Sequence, residues 1–483
     1  MRISKHNFYA DKAKMRRHTC VWQALLTQYT KKFAERRAHS LVKTGSKIKH
    51  AEITGYGDVE LKKFILKVIE RIKKALPEMS ESFLKWVVLA LITGGTVGVV
   101  SSFFHLGLRE AAEIRERFPL VILSLPVCGI LIVLLYKLLG LTHDKGTNMV
   151  IMTVRDGDKM TWRNTVSIFV SSVLTHIGGG SAGREGAALQ IGGSIGSQIG
   201  LWLRLDSKDC RMLTMCGMSA GFSALFGTPV AAAFFSMEVI SVGIMHYSAL
   251  VPCIISALTG LWISSQFGVH PDTQTIIFGR VDYVLYLKVL VIALLCAFLS
   301  IIFCFVLKNA ARFYRIFIRN PYIRIVSGAA AVVVLTFICR THDYNGAGSE
   351  VIDRAFSETA SWEAFALKLL FTALTLGAGF KGGEIMPVFF IGATFGSAFA
   401  PVLGLDSSLG AAVGLLCLFC GVTNCPVTTV FLGAELFGAQ NLPVYLLACG
   451  VSYMLSGYAG LYSEQKILYS KLEPKYIDKK IGK

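Results

Sequence analysis

Apolar runs of roughly 20 residues recur along the chain between short polar or glycine-rich breaks, and each is long enough to cross a bilayer as a helix. Within these runs the polarity does not alternate, as it would in the strands of a membrane barrel. Only helices and closed barrels satisfy the hydrogen-bonding groups of the backbone inside lipid. The pattern therefore predicts an all-α protein that crosses the membrane several times.

The apolar runs fall into two halves. A polar link over 268–280 separates them, and we expect one transmembrane repeat over 83–267 and a second over 281–465. Before the first half, residues 58–82 carry apolar positions at helical spacing, with Lys and Arg between them. That spacing predicts an amphipathic helix that lies on the inner surface of the membrane.

Positive charge is concentrated at the two ends of the chain. Only 17% of the residues are charged, yet the net charge is +18. We expect a basic, poorly ordered arm over 1–57 and a basic tail over 466–483, both cytoplasmic, because Lys and Arg mark cytoplasmic segments. We interpret this charge as a topology signal and as attraction to anionic membrane lipid, and we expect no nucleic-acid partner.

The two halves match each other in sequence. Residues 191–197 (IGGSIGS) align with 391–397 (IGATFGS), and the same offset of 200 residues aligns Gly183 with Gly383. Short apolar segments broken by Gly or Pro at corresponding positions of two halves indicate a transporter binding site. We therefore predict two inverted repeats whose broken helices meet in the middle of the membrane.

A second match lies downstream of the first. The segments that begin Thr228-Pro-Val and Cys425-Pro-Val each place a glutamate nine residues after the proline, at Glu238 and Glu435. We interpret both glutamates as making structural hydrogen bonds. The lone histidines His143 and His176 are likewise interpreted as satisfied buried or interfacial residues.

The candidate chemistry is centred on residues 178–197, GGGSAGREGAALQIGGSIGS. This stretch places Arg184 and Glu185 between apolar spans, where an ionisable residue survives mainly beside an ion path, a water-filled cavity or a partner. The glycines predict a loop and the residues from Ala187 onward a helix, whose N-terminus attracts anions. We therefore predict an anion site with a carboxylate at its entrance.

Four motifs resemble those of the CLC family of anion channels and proton-coupled anion exchangers. They are Gly183-Arg-Glu-Gly186 for G-[KR]-E-G, Gly382-Gly-Glu-Ile-Met-Pro387 for G-x-F-x-P, Gly146-Thr-Asn-Met-Val150 for G-S-G-I-P, and Leu461-Tyr462-Ser463 for the segment with the central tyrosine. The resemblance covers about residues 84 to 466. It implies a CLC-type fold, a homodimer with one path per subunit, and transport rather than enzymatic catalysis. We expect no cofactor and no metal.

The departures from the general family pattern are specific. Asn148 and Met149 stand in the first motif, and Glu384 and Ile385 stand in the second where most members have apolar residues and Phe. These changes resemble the bacterial fluoride-exporting branch, which implies fluoride export coupled to proton entry across the inner membrane. Val239 occupies the position of the internal proton glutamate of chloride exchangers, and Glu384 is the natural substitute. Chloride/proton exchange or passive chloride conduction is the alternative.

The resemblance also implies residue roles. Glu185 is expected to act as the gating and proton-coupling carboxylate, and Glu384 as a second carboxylate on the path. For each of them, capping of the helix that follows is the structural alternative. Arg184 is expected to face an aqueous vestibule or to pair with an acid, and direct anion ligation is the alternative. The expected anion-binding positions are Gly146, Thr147, Asn148, Met149, Gly183, Arg184, Gly186, Ile385, Met386 and Tyr462.

The polar groups of these residues suit the task. The Asn148 amide supplies two N–H donors, and the Tyr462 hydroxyl supplies one, to an anion that has lost water. The alternatives are gap filling for Met149 and a membrane-interface role for Tyr462. An intramembrane hydrolase using Glu185 or Glu384 with His176 lacks any supporting metal or nucleophile motif in the sequence.

Overall fold

The computed structural model describes residues 50–141, 144–269, 273–274, 276 and 282–481. The chain divides into two units between Ser82 and Phe83. The predicted arm lies largely outside the described residues, as do His143 and most of the polar link over 268–280.

The first half of the described chain is helical apart from a two-residue strand. Its helices are α1 (His50–Arg117), α2 (Leu125–Leu138), α3 (Thr147–Asp156), α4 (Trp162–Ile177), α5 (Glu185–Trp202), α6 (Ser207–Phe226), α7 (Pro229–Glu238) and α8 (Leu250–Gln266), with 3₁₀ turns at Pro119–Ser124 and Tyr247–Ala249.

The second half repeats this order. Its helices are α9 (Tyr283–Phe317), α10 (Pro321–Cys339), α11 (Ser349–Ser357), α12 (Ala364–Ala378), α13 (Ile385–Phe399), α14 (Ser407–Thr423), α15 (Pro426–Phe437) and α16 (Leu442–Leu455), with 3₁₀ turns at Ala400–Leu403 and Ala439–Asn441. The short helices recur in place: α3 has 10 residues and α11 has 9, and α7 has 10 and α15 has 12. This is the predicted pair of repeats.

The start of the chain differs from the prediction. Residues 50–57 were expected in a poorly ordered arm and 58–82 in a separate amphipathic helix, but α1 runs unbroken from His50 to Arg117. Pro77 lies inside it. A proline removes one backbone donor and favours a kink, and the helix continues past that position. The helix bounds therefore differ from the expected segments, whereas the division between Ser82 and Phe83 coincides with the expected start of the first repeat. The interfacial position of residues 58–82 stays a prediction.

Six helical stretches of the described chain are long and apolar enough to cross a membrane. They are Met79–Arg117, Pro119–Leu138, Tyr247–Gln266, Tyr283–Phe317, Pro321–Cys339 and Ile385–Leu403. Shorter apolar helices such as Ser407–Thr423 lie between them. The chain is thus a helical membrane protein with broken helices, as the apolar pattern predicts.

The matched IGGSIGS and IGATFGS stretches pack helices together. A Cβ at Gly192 on α5 would lie 2.0 Å from the carbonyl oxygen of Gly217 on α6. A Cβ at Gly396 on α13 would lie 1.9 Å from the carbonyl oxygen of Gly410 on α14. Each repeat therefore has one pair of helices in backbone contact, which small residues permit inside a membrane.

Glu238 and Glu435 join the two repeats by capping each other's helices. Glu435, near the end of α15, accepts hydrogen bonds from the backbone N–H groups of Val230 (2.9 Å) and Ala231 (2.8 Å) at the start of α7. Glu238, at the end of α7, accepts from Val427 (3.1 Å) and Thr428 (2.8 Å) at the start of α15. The prediction of structural hydrogen bonds for both is confirmed.

The end of the chain forms a small sheet that the sequence did not predict. β1 (Ser241–Val242) pairs in parallel with β2 (Lys466–Tyr469), and β2 pairs antiparallel with β3 (Tyr476–Lys480). The basic tail is therefore partly a hairpin attached to the segment that follows α7.

Candidate functional site

The two glycine-rich breaks meet at Gly183 and Gly383. The backbone N–H of each residue donates to the carbonyl oxygen of the other, at 2.7 Å in both directions, in an antiparallel bridge. Glu185 opens α5 immediately after this bridge, and Glu384 is the N-cap residue of α13. The bridge thus places the N-termini of two repeat-related helices side by side.

The third motif reaches the same point through Gly186. A Cβ there would lie 2.9 Å from Gly383 Cα, 3.0 Å from Glu384 Oε2 and 3.4 Å from Thr147 Oγ1. Thr147 is the first residue of α3, whose N-cap Gly146 has a φ of 61°, a conformation that glycine adopts without steric cost. Three helix N-termini therefore converge, and each presents backbone N–H groups and positive potential to an anion.

Glu185 is fully buried and is held by its neighbour. Its Oε2 accepts from the backbone N–H of Arg184 at 3.1 Å, and its Oε1 accepts from Arg184 Nε at 3.2 Å. Arg184 Nη1 also lies 3.2 Å from His105 Nδ1. Arg184 thus both pairs with an acid and faces a cavity, as predicted.

Glu384 has the opposite surroundings. Its Oε2 is buried, and among the described residues it has no hydrogen-bond partner. A buried acceptor without a partner costs about 1–3 kcal/mol. A donor brought by a ligand would remove that cost, and a proton on the carboxyl group would remove its charge.

Two different cavities are lined by residues of the convergence. The Arg184 cavity has a volume of about 640 Å³ and is lined by His105, Arg109, Arg115, His176 and Arg184, among others. The Glu384 cavity has a volume of about 880 Å³ and is lined by Gly146, Asn148, Gln190, Lys381, Glu384 and Glu464, among others. Glu185 is fully buried and bonded to Arg184 of the first cavity, and the next residue, Gly186, lies against Glu384 of the second.

Three consecutive residues of the first motif, Thr147 to Met149, have three different environments. Thr147 is buried, and its Oγ1 accepts from Gln190 Nε2 at 3.2 Å. Asn148 lines the Glu384 cavity, and its Oδ1 accepts from the backbone N–H of Glu464 at 3.0 Å. Met149 is half-buried against the main hydrophobic core and is not among the described residues that line either cavity.

The remaining candidates are buried. Ile385 is fully buried, and Met386 Cβ would lie 2.8 Å from a Cβ added at Gly183. Tyr462 is 1% exposed, and its hydroxyl has no hydrogen-bond partner among the described residues. Tyr462 and Glu384 thus each present a buried, unpartnered oxygen. For His176, Nδ1 lies 2.8 Å from the Ser172 carbonyl oxygen, so that ring is satisfied on one side.

Three polar side chains, two near the convergence and one buried elsewhere in the membrane region, are absent from the sequence prediction. Gln190 links Thr147 to the Gly186 carbonyl oxygen, at 3.2 Å from each. Lys381 forms a 3.1 Å ion pair with Asp144, which also accepts from the Gly146 N–H at 3.2 Å. Lys368 is fully buried and donates to the carbonyl oxygens of Tyr344 and Gly346. Both lysines stand in or beside apolar spans, and a charge at that depth is the sequence signal that identifies them.

Comparisons with known proteins identify the family of the chain. The family model described as voltage gated chloride channel matches residues 128–457. The chain belongs to this family. A Pseudomonas syringae pv. tomato protein named chloride/fluoride channel protein is 34% identical over 397 residues, covering 80% of this chain and 87% of that protein.

Two solved structures of antiporters have the same fold. A CLC-type fluoride/proton antiporter superposes with a TM-score of 0.77 at 34% identity, covering 79% of this chain and 98% of that chain. A slow cyanobacterial Cl⁻/H⁺ antiporter superposes with a TM-score of 0.67 at 18% identity, covering 77% and 94%. The protein therefore has the CLC-type fold of two inverted repeats and belongs to a family of anion transporters.

Proposed function

We propose that this protein is a fluoride/proton antiporter that exports fluoride from the bacterial cytoplasm. The observation that carries the proposal is a second carboxylate, Glu384, whose buried and unpartnered Oε2 lies at the convergence with Gly186 and Thr147. The CLC-type fluoride/proton antiporter, a solved structure at 34% identity, supports the same choice of anion, and the Pseudomonas relative is named for both chloride and fluoride.

In this proposal Glu185 is the gate. As a carboxylate it occupies the position between the two cavities and takes the place of the anion. When protonated it loses its charge and its hold on Arg184, so an anion can replace it at the helix N-termini. Glu185 thus alternates between a carboxylate that occupies the anion position and a protonated acid that leaves this position to an anion. In this proposal the alternation makes the proton and the anion move in opposite directions.

Glu384 and the first motif account for the choice of anion. A small, strongly hydrated anion needs donors close by to replace its water. Protonated Glu384, the Asn148 amide, the Tyr462 hydroxyl and the backbone N–H groups of α3, α5 and α13 supply such donors. A protonated carboxyl group also gives the proton a second resting place, which Val239 cannot provide.

We assign the Glu384 cavity to the cytoplasmic side. Glu464 lines it, and the basic tail that follows carries Lys466, Lys471 and further lysines, which mark cytoplasmic segments. The Arg184 cavity then faces outward, with the N-terminal arm on the inside. We further propose a homodimer in the inner membrane, with anionic lipid bound by the basic segments.

The test is proton movement driven by one anion at a time. Liposomes that contain the purified protein and a fluoride gradient should take up or release protons against their own gradient. The same liposomes with a chloride gradient should move far fewer protons. Proton movement with chloride in preference to fluoride would favour the alternative, chloride/proton exchange, and anion flux without protons would favour a passive channel.

A further inference from the structure

The C-terminal segment that follows Tyr462 is fastened to the helix that carries Asn148. Asn148 Oδ1 accepts from the backbone N–H of Glu464 at 3.0 Å. Because a backbone N–H can only donate, it must meet the oxygen of the Asn148 amide and not its nitrogen. The bond therefore turns the Oδ1 end of the Asn148 side chain toward Glu464. The two N–H donors of Asn148 are then the end left for the Glu384 cavity that Asn148 lines.

The Glu464 side chain holds this backbone in place. Its carboxylate contacts Lys145 Nζ at 3.3 Å, Arg155 Nη2 at 3.4 Å and Lys480 Nζ at 2.7 Å. Lys145 precedes α3, Arg155 lies in its last turn, and Lys480 lies on β3. Arg155 Nη1 also donates to the Glu464 carbonyl oxygen. One carboxylate therefore joins both ends of α3 to the terminal hairpin.

The hairpin itself is anchored to the membrane helices. The Gln465 side chain is fully buried and donates to the carbonyl oxygens of Val239 (2.9 Å) and Thr423 (3.0 Å). Lys471 Nζ donates to the Tyr453 carbonyl oxygen at 3.1 Å and to Ser456 Oγ at 3.0 Å. These contacts come from both repeats, so the segment after Tyr462 has a fixed position against which Asn148 can be held.

We propose that Glu464 is a positioning residue for anion selectivity, which acts by orienting the Asn148 amide toward the transported anion. This inference rests on the proposed function, because it assigns the Asn148 donors to fluoride. The residue does not contact the anion itself. It keeps the donor end of one amide turned to the cavity, which an amide free to rotate would not do.

Glu464 stays charged over the whole working range of pH. The hydrogen bond from Lys480 is the main cause that lowers its pKa to about 2. A carboxyl group with a lowered pKa keeps its native contribution above its ordinary pKa and loses it only as the pH falls toward the lowered value. The effect of Glu464 on selectivity should therefore be constant between about pH 5 and pH 8, unlike that of a proton-carrying residue.

The experiment compares Glu464→Gln with Asp478→Asn in liposomes containing the full-length protein. Glu464→Gln removes three ion pairs and should lower the ratio of fluoride to chloride efflux about fivefold, through a higher fluoride KM and an almost unchanged kcat. Asp478→Asn removes a 3.2 Å ion pair with Lys466 on the same hairpin and contacts neither Glu464 nor Asn148. It should leave the ratio as in the original protein.

A double-mutant cycle identifies the route of the effect. In an Asn148→Ala background, Glu464→Gln should change the ratio less than about twofold, because the amide it orients is gone. An undiminished effect of Glu464→Gln in the Asn148→Ala protein would overturn the inference. So would a folded Glu464→Gln protein whose ratio of fluoride to chloride efflux equals that of the unsubstituted protein. If Glu464→Gln does not yield folded protein, Lys480→Gln breaks the shortest of the three pairs and should show the same change on a smaller scale.

The two proposals fail separately. Original protein that prefers chloride would refute the fluoride assignment and this inference with it. Original protein that prefers fluoride, with unchanged selectivity in the Glu464 and Lys480 variants, would refute only the role of Glu464.

Discussion

The starts of α5 and α13 have equivalent backbone positions but different side chains. The offset of 200 residues that aligns Gly183 with Gly383 also aligns Arg184 with Glu384 and Glu185 with Ile385. The backbone bridge between the two glycines is reciprocal. The side chains that follow it are an arginine and an acid in one repeat, and an acid and an isoleucine in the other.

The two acids are therefore not symmetry mates. Glu185 is the first helical residue and is bonded by Arg184, whereas Glu384 precedes its helix and has an unpartnered oxygen. The fold supplies two equivalent helix N-termini, and the sequence makes one a paired gate and the other an unpaired acid. The backbones of the two helix starts are therefore symmetric, whereas their charged side chains are not. One side of the site carries an acid paired with arginine, and the other side carries an acid with an unpartnered oxygen.

The largest effect is expected from the paired acid. Glu185→Gln keeps the shape of the side chain and removes the group that alternates between carboxylate and protonated acid. Proton movement driven by fluoride should fall to the level of liposomes without protein, while anion flux persists. The measurement is proton uptake under a fluoride gradient, with Glu358→Gln, an exposed acid after α11, as the matched control. Persistent proton pumping in Glu185→Gln would show that the gate lies elsewhere.

The unpaired acid should have the next largest effect. Glu384→Gln keeps a donor at the site permanently and removes the ability to release a proton, so coupled turnover should fall by about tenfold or more. Fluoride efflux and proton uptake measured together should decline in step. Glu363→Gln, at the exposed N-cap of α12, serves as the control. If Glu384→Gln turned over as fast as the unsubstituted protein, Glu384 would have a structural role only, and Glu185 would be the one functional acid of the two.

The smallest effect on transport should come from the reciprocal caps, which are alike in both repeats. Glu238→Ala and Glu435→Ala each leave two backbone N–H groups of the partner helix without an acceptor, at a cost of about 2 kcal/mol. We expect similar losses of thermal stability in detergent and nearly normal coupling in the protein that remains folded. A selective loss of proton coupling in one variant would mean that the asymmetry extends beyond α5 and α13.

The parts of the molecule that repeat were the parts that sequence could predict. The offset that pairs Gly183 with Gly383 and the glutamates nine residues after Pro229 and Pro426 are visible because both halves use the same solution. The convergence of the three motifs followed from the resemblance to a known family. Apolar length was enough to predict the helices.

The parts that occur once were harder to predict. β1 has two residues and pairs with a strand more than 200 positions later, so no local pattern indicates it. α1 continues through Pro77, a residue type that removes one backbone donor and favours a kink. Partners such as Asp144 for Lys381 are far apart in sequence, and only the folded chain brings them together.

The exchange of caps between α7 and α15 has a consequence for biosynthesis. The acceptor for the Val230 N–H lies 205 residues later in the chain, on Glu435. While the second repeat is still being made, the start of α7 has no cap and must remain in contact with water, lipid headgroups or the insertion machinery. The start of α7 therefore reaches its final hydrogen bonding only after the segment that carries Glu435 has been made and inserted.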